Sequence, residues 1–112
     1  MPVLTVTLRA NGAVGDAVVS VTDANQVETN LDQTEFDNKG NATIKNFTPY
    51  GQTGFNAELS ITPTGFNAHA YVAFSLGGTV LPYSLAASND VKDTGVKKFR
   101  DGSAAAAAKG KG

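Results

Sequence analysis

The chain has 112 residues and no cysteine. This length suits a single domain with one buried core, and the lack of cysteine excludes disulfides, thiolate metal sites and thiol nucleophiles. The formal net charge of −1 divides unevenly, because residues 1–89 contain three basic and seven acidic side chains and residues 90–112 contain six basic and three acidic ones. The first residues lack the basic and apolar regions of a secretory signal, and no apolar run is long enough to span a bilayer. We therefore expect neither a secretory signal nor a membrane-spanning segment.

Two strands are predicted near the N-terminus. In residues 3–8, Leu4, Val6 and Leu8 alternate with Val and Thr side chains, which places one apolar row on one face of an extended segment. The turn-forming run RANG follows. The segment AVVSVTD at 17–23 repeats the alternation and predicts the second strand.

A third and a fourth strand are predicted on either side of a tight turn. QVETNL at 26–31 is a short candidate strand, and ATIKNF at 42–47 is another. Between them, DNKGN at 37–41 predicts a hairpin turn, because Asn and Gly tolerate the positive φ that tight turns require. The run TPYG at 48–51 turns the chain again.

The pentapeptide TGFNA occurs twice, at 53–57 and at 64–68. An alternating apolar row follows Phe55, and another follows Phe66, so each copy is predicted to begin a strand with its phenylalanine facing the core. Residues 63–65 are predicted to connect these two strands as a hairpin loop. Two copies of five residues are too few for a repeat architecture.

The last predicted strand lies at 79–87. Gly77 and Gly78 predict the turn that leads into it, and Pro82 predicts a sheet edge or a bulge, because proline cannot donate to a strand ladder. No amphipathic helix of useful length interrupts the strands. The predicted core consists of Leu4, Val6, Val19, Val21, Ile44, Phe55, Leu59, Ile61, Phe66, Val72 and Phe74.

About seven short strands, at intervals of roughly 8–12 residues with turn residues between them, predict an all-β fold, a single antiparallel β-sandwich. We assign residues 1–88 to this domain. Residues 89–112 are basic and rich in Ala, Gly and Lys, a composition that cannot build a core, so an extended C-terminal tail is predicted.

Three segments carry a resemblance to known modules. GDAVVSVTDANQVETN at 15–30, FDNKGNATIKNFTPYG at 36–51 and FNAELSITPTGFN at 55–67 are similar to immunoglobulin-like, carboxypeptidase-regulatory and transthyretin-like modules. The resemblance covers about residues 3–76. It implies an immunoglobulin-like sandwich that serves as a non-catalytic scaffold, used as a stalk, adhesion or decoration unit in exported proteins and in phage virions.

Catalytic and metal-binding patterns are not recognisable. His69 is the only histidine, and its place on the polar side of its strand predicts a solvated or cross-strand hydrogen-bonding role. Asp32, Glu35 and Asp37 lie in one polar loop instead of facing each other across a cleft. We therefore predict no enzyme activity, no catalytic residues and no cofactor.

Calcium is the one metal that the loops suggest. Asp23, Asn25, Glu28 and Asp32 supply oxygens at a spacing that suits a hard cation. They lack the Asp-x-Asp-x-Asp-Gly pattern of a calcium loop and are typical of ordinary turns. We predict no metal-binding residues.

The C-terminal cations are the predicted docking element. Lys97, Lys98 and Arg100 flank Phe99, so a short segment offers salt-sensitive attraction around one apolar anchor. The predicted partner is protein, either a capsid or another repeating surface or further copies of this chain, bound as a homo-oligomer or multicopy assembly. Nucleic acid is not a predicted partner, because the rest of the chain is acidic and only Phe99 lies among the basic residues. A membrane is not a predicted partner either, because no long apolar run is present. A solvated terminal tail is the alternative interpretation of these charges.

Two functional classes follow from these features. We predict a structural virion protein, such as a capsid decoration or head-fibre subunit, located in the virion. The alternative is a surface adhesion or carbohydrate-binding module of a longer exported protein, with Tyr50, Tyr71 and Tyr83 as candidate stacking residues.

Overall fold

A computed structural model describes residues 2–89 and 97–101, which form two antiparallel β-sheets packed face to face. The predicted all-β sandwich is therefore confirmed. A single turn of 3-10 helix spans Gln33–Glu35. The strands are β1 (Leu4–Ala10), β2 (Val14–Thr22), β3 (Glu28–Leu31), β4 (Asn41–Ile44), β5 (Asn56–Pro63), β6 (Ala68–Leu76), β7 (Thr79–Asn89) and β8 (Lys97–Asp101).

Each sheet contains four strands. The first sheet has the order β4-β1-β6-β7, and the second sheet has the order β3-β2-β5-β8. The described strands are one more than the sequence predicts, because residues 97–101 of the predicted tail pair with β5 as β8. Among these strands, consecutive ones are neighbours only at β2–β3 and β6–β7. The other connections therefore cross from one sheet to the other.

The alternation in β1 and β2 produces the burial that the sequence predicts. Leu4, Val6 and Leu8 are buried in β1, and the threonines between them are half-buried on the opposite face. Val19 and Val21 are buried in β2 in the same way. Each side chain of this kind contributes about 1.5–3 kcal/mol when it is fully buried. These rows supply the inner faces of both sheets.

Three aromatic rings pack in the core. The Phe55 ring centroid lies 5.5 Å from that of Phe47 at an interplanar angle of 82°, and 4.9 Å from that of Phe74 at 71°. Edge-to-face pairs of this kind add about 0.5–1.5 kcal/mol beyond the burial of their area. Phe74 belongs to β6 of the first sheet and Phe55 directly precedes β5 of the second, so the contact joins the two sheets.

Two predicted hairpins are wrong. The turn at 37–41 is present, with the Gly40 N–H donating to the Asp37 carbonyl at 3.0 Å, but it leads from β3 of the second sheet to β4 of the first. Residues 63–65 likewise lead from β5 of the second sheet to β6 of the first. Turn residues specify that the chain reverses, but they do not specify which strands pair. Here the strands before and after each turn belong to different sheets, and their apolar rows face the same core from opposite sides.

The prediction that Phe66 belongs to the core is wrong, because its side chain is 62% exposed. It lies in a turn, where Asn67 adopts a φ of 57°, and β6 begins only at Ala68. A left-handed residue breaks the two-residue period, so the alternation of β6 does not extend back to Phe66. Ile44 is half-buried and packs against the core, and the other predicted core residues are buried.

The prediction for the last strand of the domain is confirmed. Gly77 and Gly78 form the two-residue turn between β6 and β7, with φ values of 59° and 88°. β7 is the edge strand of the first sheet. The register between β6 and β7 shifts between Ala73 and Ser75, and Pro82 lies in the extra stretch on β7. The proline is therefore at a sheet edge and at a bulge.

Candidate docking surfaces

Asp23 is buried, and its carboxylate accepts hydrogen bonds from the β2–β3 and β4–β5 connections. Oδ1 accepts hydrogen bonds from the N–H groups of Asn25 at 2.9 Å and Val27 at 3.1 Å, and Oδ2 accepts one from the Thr48 N–H at 3.3 Å. Three backbone donors thus occupy the oxygens that the calcium hypothesis requires. Across residues 2–89 and 97–101, no three His, Asp or Glu side chains converge as a group that could hold a metal ion.

Asp32 and Asp37 hold turns in the β3–β4 connection. The Thr34 hydroxyl and the Thr34 N–H both donate to the Asp32 carboxylate and lower its pKa below the ordinary value. The hydroxyl has the larger effect. The Asn41 N–H and the Lys39 N–H each donate to Asp37 Oδ1 at 2.9 Å and lower the pKa of Asp37. The Asn41 N–H has the larger effect. Both carboxylates are exposed and have local structural roles.

Replacing Asp37 by asparagine is expected to weaken the acid dependence of stability. A lowered pKa in the folded chain means that the ionised carboxylate stabilises the fold above about pH 4, and that this stabilisation is lost as the pH falls through the folded pKa. Asparagine does not titrate, so the free energy of unfolding of Asp37→Asn should fall less between about pH 7 and about pH 3. Chemical denaturation at the two pH values measures the difference.

Glu35→Gln is the control for this prediction. Its carboxylate lies in the same connection and is exposed, and the described residues donate no hydrogen bond to its side chain. The acid dependence should therefore change less than in Asp37→Asn. Equal changes in the two variants would contradict the role given to Asp37.

His69 joins two loops at one end of the first sheet. Its Nδ1 lies 2.7 Å from the Asn67 carbonyl oxygen, which also accepts a hydrogen bond from Asn11 Nδ2 at 2.6 Å. The Asn11 N–H donates to the His69 carbonyl at 3.0 Å, and Asn11 Nδ2 lies 3.2 Å from the ring Nδ1, so both the backbone and the ring of His69 contact Asn11.

The backbone of the predicted docking residues lies at a sheet edge. Residues 97–100 belong to β8, whose register pairs Arg100 with Glu58 of β5. β5 is the only neighbour of β8 among the described strands. An edge strand offers a row of backbone N–H and C=O groups to a partner.

The candidate stacking tyrosines do not form one row. Tyr50 lies between β4 and β5, where its N–H donates to the Gly54 carbonyl at 2.7 Å and its hydroxyl lies 3.2 Å from Gln26 Nε2. Tyr71 lies on the first sheet, at the opposite end of the sandwich, and is 47% exposed. The side chain of Tyr83 lies outside the described residues.

Charge is segregated between the two sheets. The strands of the first sheet contain no Asp, Glu or Lys, and Arg9 is their one charged residue. The carboxylates of residues 2–89 belong to the second sheet, as Asp16, Glu28 and Glu58, or to the connections that follow its strands. Charged residues are depleted at the centres of protein interfaces. The solvent side of the first sheet shares this lack of charge.

This outer face of the first sheet carries mostly small side chains. Val80 is its most exposed large hydrophobic residue, at 76%, and Tyr71 is the next. The register aligns the face in rows across β1, β6 and β7. The outer face consists of Thr5, Thr7, Arg9, Asn41, Thr43, His69, Tyr71, Ala73, Ser75, Val80, Ser84, Ala86 and Ser88.

A shallow depression lies beside Tyr71 on this face. Its volume of about 470 Å³ is in the range that accepts a side chain or a small ligand. Arg9 is the only charged residue of the lining, and no carboxylate contributes to it. The lining residues are Arg9, Ala10, Asn11, His69, Ala70, Tyr71, Ala86, Ala87 and Ser88.

Sequence reasoning missed this face because its rows come from distant parts of the chain. Arg9, Tyr71 and Ala86 become neighbours only when β1, β6 and β7 pair. The available signal was composition, namely the lack of Asp, Glu and Lys in three separate predicted strands. Phe66 gave no signal of its exposure, since its pentapeptide is identical to the one that buries Phe55.

No helix in the described part of the chain has the length and apolar character needed to cross a membrane. Comparisons with protein-family models, with curated proteins and with solved structures find no match to this chain. The resemblance to immunoglobulin-like modules stays a prediction.

Proposed function

We propose that the chain is a non-enzymatic structural protein that docks in many copies on a repeating protein surface, with a phage capsid as the specific expectation and the virion as its location. The observation that supports this most is the segregation of charge between an almost uncharged outer face of the first sheet and a second sheet that combines carboxylates with the cationic strand β8. Such a distribution provides one surface for contact without charges and another for electrostatic docking.

The positions of the ionisable groups support a role without catalysis. The Asp23 carboxylate accepts three backbone hydrogen bonds, and Asp37 accepts two within its own turn. His69 is engaged with a carbonyl oxygen through Nδ1. General acid–base chemistry needs such groups directed at a substrate, whereas here they hold the protein's own loops.

The proposed docking element is the cationic segment with Lys97, Lys98, Phe99 and Arg100. Among the described strands its backbone forms a sheet edge, which offers backbone N–H and C=O groups to a partner. The partner surface is acidic, and each contact is weak and salt-sensitive. Many copies on a repeating surface multiply such contacts.

Neutralising this segment tests the proposal. We expect a tagged chain produced in its source to be recovered with particles on a density gradient, in many copies per particle. Recovery of the triple variant Lys97→Gln, Lys98→Gln, Arg100→Gln should be at least about tenfold lower, and added salt should lower the recovery of the unaltered chain. Circular dichroism checks that the variant keeps its β structure.

The matched control is Lys39→Gln, Lys45→Gln, which removes two exposed cations from the other part of the chain. This variant should be recovered like the unaltered chain. Undiminished recovery of the triple variant would contradict docking through residues 97–100, and absence of the unaltered chain from particles would contradict the virion proposal itself.

The alternative function is carbohydrate binding in a surface adhesion module. The observation in its favour is the depression beside Tyr71, where an exposed ring lies next to Asn11, His69 and Ser88. Binding to a glycan array that disappears in Tyr71→Ala, with recovery from particles unchanged, would favour this function.

A further inference from the structure

A second surface supports an inference about the chain's own copies. We propose that the outer face of the first sheet packs against the same face of a second copy about a two-fold axis, with Val80 of each copy seated in the depression beside Tyr71 of the other. The inference rests on the proposed function only in that docking in many copies brings chains together. It is tested separately from docking.

Charge favours a second copy as the occupant of this face. The β3–β4 connection carries three carboxylates, and its contact with the same connection of a copy would bring like charges together. The second sheet contains charged residues of both signs, because β8 adds three cationic residues to the carboxylates of β2, β3 and β5. The outer face of the first sheet has Arg9 as its one charged residue. It is therefore the sheet face that meets its own copy with the fewest charges buried.

The register of the strands locates the axis. Thr7, Ala73 and Ser84 form the central row across β1, β6 and β7. The next row toward one end of the sheet contains Val80, and the next row toward the other end contains Tyr71. A two-fold axis that lies in the interface along the central row therefore places the Val80 row of one copy over the Tyr71 row of the other, and symmetry repeats the contact.

The shapes of the two rows are complementary. Val80 is 76% exposed and projects from β7, whereas the Tyr71 row contains the depression bordered by Ala86. A valine inserted there loses its contact with water on a surface of mostly small residues. Ala73 in the central row leaves room for the sheets to approach to about 10 Å, the usual spacing of stacked sheets.

The same axis keeps the cations apart. Arg9 lies in the Tyr71 row, so in the dimer it faces the Thr5 row of the other copy. The two Arg9 positions are then about four residues apart along the strands, or roughly 13 Å. That separation exceeds the Debye length of about 8 Å at physiological ionic strength.

The size of the face predicts a weak dimer. The four strands contain 31 residues together, which at about 3.3 Å per residue and a strand spacing of about 4.8 Å give roughly 490 Å² per copy, or about 1,000 Å² in total. Specific interfaces of this size are at the low end of the range, where association is transient. A contact of this strength becomes significant when copies are already concentrated on a surface.

Paired charge substitutions in the full chain test the contact. We expect sedimentation analysis to show a dimer that forms as the concentration rises. Val80→Asp and Ala86→Lys, each alone, should weaken dimerisation by at least about tenfold. An equimolar mixture of the two variants should restore it, because one contact gains opposite charges and the other contact is unaltered. Both positions are exposed, so the fold is preserved.

Val27→Asp is the control, because Val27 is also an exposed valine but lies between β2 and β3, outside the face. It should dimerise like the unaltered chain. The inference is overturned if the unaltered chain is monomeric at every concentration, if Val80→Asp dimerises normally, or if mixing restores nothing. Since these measurements involve no particle and no residue of β8, their failure is distinguishable from failure of the docking proposal.

Discussion

Replacing Phe55 by alanine is expected to lower the free energy of unfolding by about 3–5 kcal/mol. The side chain is buried and its ring contacts Phe47 and Phe74 in two edge-to-face pairs. Truncation removes the apolar burial and both ring contacts, and it leaves a cavity where the two sheets meet. Urea denaturation followed by circular dichroism measures the loss.

Phe66→Ala is the matched control, because Phe66 has the same position in the second copy of TGFNA. Its side chain is largely exposed, so the expected change in the free energy of unfolding is within about 0.5 kcal/mol. Similar losses in the two variants would mean that Phe66 is buried as the sequence predicts, or that Phe55 is not in the core.

The strands themselves were predictable because burial on one face leaves a two-residue period in the sequence. The rows of β1, β2, β5 and β6 show this period, and their apolar residues are buried as expected. Pro82 was informative for a separate reason, since a residue without an N–H is compatible with few places in a sheet. Local chemistry therefore identified elements and one sheet edge.

Strand pairing was less predictable, because a turn sequence does not specify the sheet that the next strand joins. The turns at 37–41 and 63–65 contain ordinary hairpin residues, yet both connect the two sheets. The identical pentapeptides illustrate the same limit. Asn56 is the first residue of β5, whereas Asn67 adopts a left-handed conformation before β6, and only the surrounding strands distinguish them.

The candidate surfaces were predictable in part. The cationic segment at 97–100 is visible as a charge cluster, but its pairing with β5 requires a long-range contact. The outer face of the first sheet is assembled from strands that are distant in the chain, so no local window contains it. The low charge of the face follows from the composition of those strands, but only the fold places the strands side by side.

Gly40→Ala is expected to lower the free energy of unfolding by about 2–5 kcal/mol, as the sum of a backbone cost of about 1–2 kcal/mol and a packing cost of about 1–3 kcal/mol. Gly40 has a φ of +84°, which an L side chain adopts only with strain. A Cβ at this position would lie 2.6 Å from the Leu8 carbonyl oxygen and would also contact Arg9 Nη1. The carbonyl belongs to β1, and it cannot move without disturbing the strand that supports the first sheet.

Gly78→Ala separates the two contributions. Gly78 has a nearly equal φ of +88°, but a Cβ there would meet nothing within 4 Å. Its substitution should cost only the backbone term of about 1–2 kcal/mol. Denaturant midpoints for the two variants, at equal slopes, give the difference directly.

Equal losses in the two variants would mean that the β3–β4 connection shifts to admit the methyl group. A larger loss at Gly40 would establish that this turn is held against β1 by close backbone packing, in addition to the hydrogen bond from the Leu8 N–H to the Gly40 carbonyl at 2.8 Å.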